Sequence, residues 1–85
     1  MQIVLSSEAK QHLLYWKKSG NNSILNKIDK LIDSILETPY TGIVKPEALK
    51  YEIANKWSRR INKEHHYIYL IEDDTLFVFS LMGHY

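Results

Sequence analysis

Five side chains in this 85-residue sequence carry the functional groups of acid–base chemistry at a phosphate: Glu47, Lys50, Arg60, His84 and Tyr85. Glu47 follows Lys45-Pro46, and a proline fixes its own backbone angle while restricting the residue before it, so the carboxylate leaves the chain in a defined direction. A positioned carboxylate takes a proton from a hydroxyl, and the flanking ammonium groups of Lys45 and Lys50 stabilise a phosphate that gains negative charge. His84 carries an imidazole, a group that can do acid–base work near neutral pH. One carboxylate, several cations, a histidine and an aromatic are the minimum set for cleaving RNA without a metal. The base removes the proton of the ribose 2′-hydroxyl, cations hold the attacked phosphate, and an acid protonates the departing 5′-oxygen. RNA carries its own nucleophile, so the set requires no cofactor.

Two arginines stand together in Trp57-Ser58-Arg59-Arg60-Ile61-Asn62. On a strand, neighbouring side chains face opposite sides. If Trp57 and Ile61 point into the core, Arg60 shares the other face with Ser58 and Asn62, whereas Arg59 shares the core parity. Parity alone does not separate a phosphate contact from a structural cation, so both arginines stand as candidate phosphate contacts. His65-His66 invites a metal reading, but adjacent strand residues point apart and no cysteine completes a zinc set, so no metal site is expected. His12 falls within the apolar pattern of the first helix and reads as a packing residue.

Composition narrows the class. The sequence is 45% hydrophobic and 25% charged, with no cysteine, which fits one soluble domain over residues 1–85 without disulfides, thiolate metal sites or thiol nucleophiles. The N-terminus has no basic region followed by an apolar run of signal-peptide length, and no stretch approaches membrane-spanning length, so the expected location is cytoplasmic, with no membrane association. The net charge of +1 is unevenly distributed: residues 45–66 carry six Lys or Arg against three acids, whereas residues 67–85 carry three acids and no Lys or Arg. A basic middle segment with aromatics nearby fits a phosphate-rich partner.

The elements that must position these residues can be read from periodicity. Residues 2–5 suit a first strand, and Ser6 or Ser7 can cap a helix through about residue 19, broken by Gly20-Asn21-Asn22. Ser23 is the next expected cap, after which Ile24, Leu25, Ile28, Leu31, Ile32, Ile35 and Leu36 recur at helical spacing until Thr38-Pro39. Residues 40–46 read as an irregular loop. Strands are expected at 57–62, 66–71 and 76–82, with a weaker one near 49–53. The connections Asn62-Lys63-Glu64 and Glu72-Asp73-Asp74 are of hairpin size. The order predicts an α+β fold, two N-terminal helices packed on one face of a mostly antiparallel sheet, with the other face open.

The strings Lys45-Pro46-Glu47-Ala48-Leu49-Lys50 and Trp57-Ser58-Arg59-Arg60-Ile61-Asn62-Lys63-Glu64-His65, followed by Tyr69, Asp73-Asp74 and His84-Tyr85, resemble the YoeB toxins of the RelE/ParE superfamily. Tyr15-Trp16, the Ile/Leu-rich helix and Thr38-Pro39 fit the same pattern, so the resemblance spans essentially the whole chain. It implies a microbial-ribonuclease-like (RelE-like) fold and a type II toxin, a ribosome-dependent endoribonuclease that cleaves messenger RNA in the A site. It also implies a YefM-type antitoxin as partner, with promoter DNA reached only through that complex, and leaves the oligomeric state, a homodimer included, open. Carried over by position, Glu47 would be the general base, His84 the general acid, and Tyr85 a residue positioning the RNA or the acid. Lys50 and Arg60 would contact phosphate. One departure stands out: His66 occupies the place where such toxins carry an arginine, and histidine is shorter and offers no bidentate fork. It opens the alternative of a catalytically weakened relative acting mainly as an antitoxin-binding co-repressor. A ParE-like gyrase inhibitor is a third reading, disfavoured by Glu47, His84 and Tyr85.

Overall fold

The structure, a computed structural model, describes residues 2–38, 47–48 and 56–83, with Glu47 and Ala48 described as backbone only. Strand β1 (Gln2–Leu5) leads into helix α1 (Ser7–Ser19), and α2 (Asn22–Glu37) follows after a two-residue break. Ser6 caps α1: its hydroxyl accepts the Ala9 N–H at 3.0 Å and donates to the Phe79 carbonyl at 3.0 Å, tying the helix start to the sheet. Gly20 ends α1 in the left-handed conformation, φ 69°, which glycine adopts without a Cβ penalty. The cap of α2 is Asn21 rather than Ser23, its side-chain oxygen accepting the Ile24 N–H at 3.2 Å. Helix α2 buries Ile24, Ile28, Leu31 and Ile35, the stripe that its spacing predicts. At its end, the Thr38 N–H closes on Ser34 O at 2.7 Å, one residue before the proline.

Among the described residues, five strands form one sheet in the order β1-β5-β4-β3-β2, where β2 is Glu47–Ala48, β3 Trp57–Arg60, β4 His66–Glu72 and β5 Thr75–Ser80. Three of the pairings are antiparallel, as expected. The fourth joins β1 to β5 in parallel, Gln2 opposite Thr75 and Leu5 opposite Val78, making the sheet mixed. The turn at Asp73-Asp74 has φ of 52° and 57° at its two residues, the primed geometry that matches strand twist in a tight hairpin. At the other connection, the Asn62 side-chain oxygen accepts the N–H groups of Glu64 and His65, each at 2.8 Å, and the Ile61 and Asn62 N–H groups turn to the His65 carbonyl. That local bonding stops β3 at Arg60, two residues short of the expected end. The weaker strand expected at 49–53 lies outside the described residues.

The core lies between the helices and one face of the sheet. Ala9 and Trp16 of α1 and the α2 stripe pack with Tyr67, Tyr69, Leu76, Val78 and Leu81, and Trp57 and Ile71 lie against the cluster. These strand positions share one parity, so Ser58, Arg60, His66, Ile68 and Phe77 belong to the opposite face. That face is not open throughout, because Ser58 and Ile68 are buried on it while Arg60 is exposed. Among the described residues no helix is long and apolar enough to cross a membrane.

Candidate active site

The two arginines of β3 divide as strand parity requires. Arg59 is 1% exposed. Its guanidinium donates from Nη1 to Ser34 Oγ at 2.6 Å, from Nη2 to the Thr38 carbonyl, and from Nε to the Tyr69 hydroxyl at 3.3 Å. This corrects the expectation that Arg59 contacts phosphate: its side chain lies beneath α2, holding the helix end to the sheet. Arg60 is exposed and stands directly opposite His66 in the β3–β4 register. A guanidinium there has solvent access, sits on the sheet face away from the helices, and can take a bidentate grip on a phosphate.

Ser58 links the neighbouring strands. It pairs with Ile68 on β4 and with Glu47 on β2, so Glu47 holds the register position across from a buried serine. The Ser58 hydroxyl lies 2.9 Å from Nδ1 of the half-buried His66, the ring tautomer deciding which atom donates. His66 therefore sits diagonally from Ser58 and opposite Arg60, a compact set of imidazole, hydroxyl and guanidinium beside the Glu47 backbone. Lys45, Lys50, His84 and Tyr85 lie outside the described residues.

The segment leading to His84 is held from several sides. The Trp16 indole N–H donates to the Leu81 carbonyl at 3.0 Å, and the Leu81 N–H donates to His12 Nδ1 at 3.1 Å. Two residues on, the Gly83 N–H donates to His65 Nδ1 at 2.9 Å, and the His66 N–H donates to the Gly83 carbonyl at 2.7 Å. A ring nitrogen that accepts an amide N–H carries no proton, so His12 and His65 hold theirs on Nε2. Those Nε2 atoms lie 3.7 Å from Glu8 Oε1 and 3.8 Å from Glu64 Oε2 respectively. The His65 ring packs edge-on against Trp16, centroids 4.8 Å apart. Gly83 has φ 73°, a left-handed backbone that other residues adopt only at a cost.

His12, Trp16 and His65 are the residues that reading by pattern missed. The usable signal was the i, i+4 spacing of His12 and Trp16, which sets both polar edges on one side of α1. What they grasp is set by tertiary contacts and not by spacing.

A family model described as the YoeB-like toxin of bacterial type II toxin–antitoxin systems matches residues 5–85. Toxin YoeB of Escherichia coli strain K12 is 38% identical over 85 residues, covering 100% of both chains. A YoeB/ParE toxin structure from Agrobacterium tumefaciens superposes with a TM-score of 0.96 at 32% identity, again over 100% of each chain. In the heterotetrameric YoeB–YefM toxin–antitoxin complex from Staphylococcus aureus, the matched chain gives a TM-score of 0.90 at 32% identity, over 100% of this chain and 98% of that one.

Proposed function

Because this chain belongs to the YoeB-like toxins of bacterial type II toxin–antitoxin systems, we propose that it is a ribosome-dependent endoribonuclease that cleaves messenger RNA in the A site without a metal ion. The Glu47 carboxylate takes the proton of a ribose 2′-hydroxyl, and the 2′-oxygen attacks the adjacent phosphorus. The bond to the 5′-oxygen breaks, His84 supplies the proton to that oxygen, and the products are a 2′,3′-cyclic phosphate and a 5′-hydroxyl. Arg60, with Lys45, Lys50 and His66, stabilises the charge that gathers on the phosphate oxygens, and Tyr85 positions the RNA or the acid. A YefM-type antitoxin is the proposed partner, as in the staphylococcal complex.

The observation that supports this reading is the convergence of separate chain segments on the paired strands β3 and β4. Glu47 stands in register with Ser58, Ser58 bonds His66, and His66 bonds the residue that precedes His84. A base and an acid far apart in sequence are thereby carried by backbone that meets at β3 and β4. A second reading, a weakened nuclease retained mainly for antitoxin binding, is favoured by His66, whose Nδ1 is engaged with Ser58 and which offers no fork to a phosphate.

The test is incubation of the purified protein with programmed ribosomes and with free messenger, beside Glu47→Ala and His84→Ala variants. Cleavage by the native protein alone, leaving 2′,3′-cyclic or 3′-phosphate ends, supports the nuclease. Variants that cut as well as the native protein overturn the residue assignment.

A further inference from the structure

Gly83 is bonded through both of its peptide groups. Its N–H is taken by the His65 ring at 2.9 Å and its carbonyl by the His66 N–H at 2.7 Å, a two-point grip by adjacent residues, one through its side chain and the other through its main chain. Peptide groups are planar, so holding the amide on one side and the carbonyl on the other leaves little freedom in the two dihedrals between them. The backbone of Gly83 is therefore set at this grip. The left-handed φ of 73° belongs to the same arrangement.

The His65 ring is itself oriented. It packs edge-on against Trp16, and Trp16 donates its indole N–H to the Leu81 carbonyl. Helix α1 thus braces both the ring and the segment that the ring holds. His65 lies between Glu64 and His66 in sequence, and its acceptor takes the N–H of Gly83, the residue before His84. We propose that His65 is a positioning residue: its Nδ1, by fixing the Gly83 amide, holds the backbone that leads to the proposed acid, His84, and so governs turnover and not RNA affinity. The inference rests on the nuclease reading above.

Three variants separate this from a packing role. Asparagine places its side-chain oxygen at the position of Nδ1, glutamine moves the acceptor one bond outward, and alanine removes it. In His65→Ala and His65→Gln, the Gly83 amide should exchange hydrogen faster than in the native protein by NMR. With programmed ribosomes, kcat should fall at least about tenfold while KM changes less than about twofold, since a small misplacement of a reacting group costs about a hundredfold in rate. His65→Asn should keep both the amide protection and most of kcat. Where the alanine variant fails to fold, the Asn and Gln pair carries the comparison. Unchanged Gly83 protection in His65→Gln overturns the proposal, as does lost protection with kcat intact, or an Asn variant as slow as Gln. A native protein that cleaves no RNA overturns the nuclease reading itself, an outcome distinct from native and variant proteins that are equally active.

Discussion

Arg59 and Arg60 are neighbours of the same type, and replacing each with alanine should give opposite phenotypes. Arg59 places three guanidinium nitrogens on three different groups, the Ser34 hydroxyl, the Thr38 carbonyl and the Tyr69 hydroxyl, at 1% exposure. Hydrogen bonds to charged groups contribute about 1.5–3 kcal/mol each. The Nε contact at 3.3 Å is long, so two strong bonds and one weak one give about 4 kcal/mol. A chain of 85 residues at about 0.05–0.15 kcal/mol per residue has a total of roughly 4–13 kcal/mol. Arg59→Ala should therefore lose a third or more of the stability, with a melting temperature lower by at least about 15 °C. Lysine should not rescue it, because one ammonium cannot span three acceptors on two helical turns and a strand. Arg60→Ala should leave the melting temperature within about 2 °C and slow RNA cleavage, since the side chain is exposed and its proposed role is at the phosphate. Thermal and urea unfolding followed by circular dichroism and tryptophan fluorescence, with single-turnover cleavage in parallel, reads both. An Arg59→Ala protein of native stability that cleaves poorly would refute the division and return Arg59 to the phosphate.

The other expectations are smaller in scope. His66→Arg should raise the cleavage rate about tenfold or more at saturating substrate, because a guanidinium at this position opposite Arg60 adds a charge-stabilising contact; equal rates would show that His66 is no weakened phosphate contact. Tyr67→Phe should leave stability unchanged or raise it by up to about 1 kcal/mol, since the hydroxyl is buried with no hydrogen-bond partner among the described residues. Burial, and then the neighbouring Tyr69, push that phenol above its ordinary pKa while Arg59 pulls it down, so it stays protonated throughout the working pH range, and a loss above about 1 kcal/mol on denaturant unfolding would reveal a missed partner. Gly20→Ala should cost about 1–2 kcal/mol through the left-handed φ of 69° alone, because an added Cβ meets nothing within 4 Å, and a chemical denaturation midpoint measures it.

The helices and the antiparallel strands were legible because each depends on local pattern. Seven Ile and Leu residues at helical spacing announce α2, and Asp73-Asp74 between alternating apolar runs announces a hairpin. The cap of α2 was misread because Asn21, Asn22 and Ser23 are all competent caps, and the choice depends on where Gly20 ends the preceding helix. The parallel pairing of β1 with β5 was not legible, since nothing in Gln2-Ile3-Val4-Leu5 specifies a partner or a direction. At the candidate site, the proposed roles of Arg60 and Glu47 rest on residue type and resemblance, whereas the place of Arg59 under α2 had to be seen in the structure. The grip on Leu81 and Gly83 escaped because it joins imidazole and indole edges to main-chain groups some 18 to 69 positions away, and a side chain carries no mark of which distant amide it meets.

The pairing of β1 with β5 also orders events in time. The Ser6 to Phe79 contact beside it closes a loop of 73 positions, whereas the β4–β5 hairpin closes one of a few residues. Closure entropy makes the long loop costlier by about 2.5–3 kcal/mol, so the hairpin should close before the N-terminal strand docks. During synthesis, residues 2–5 emerge early and must wait for residues 75–78. The grip at Gly83 needs residues later still. A nascent chain therefore cannot complete the sheet before residues 75–78 have been made.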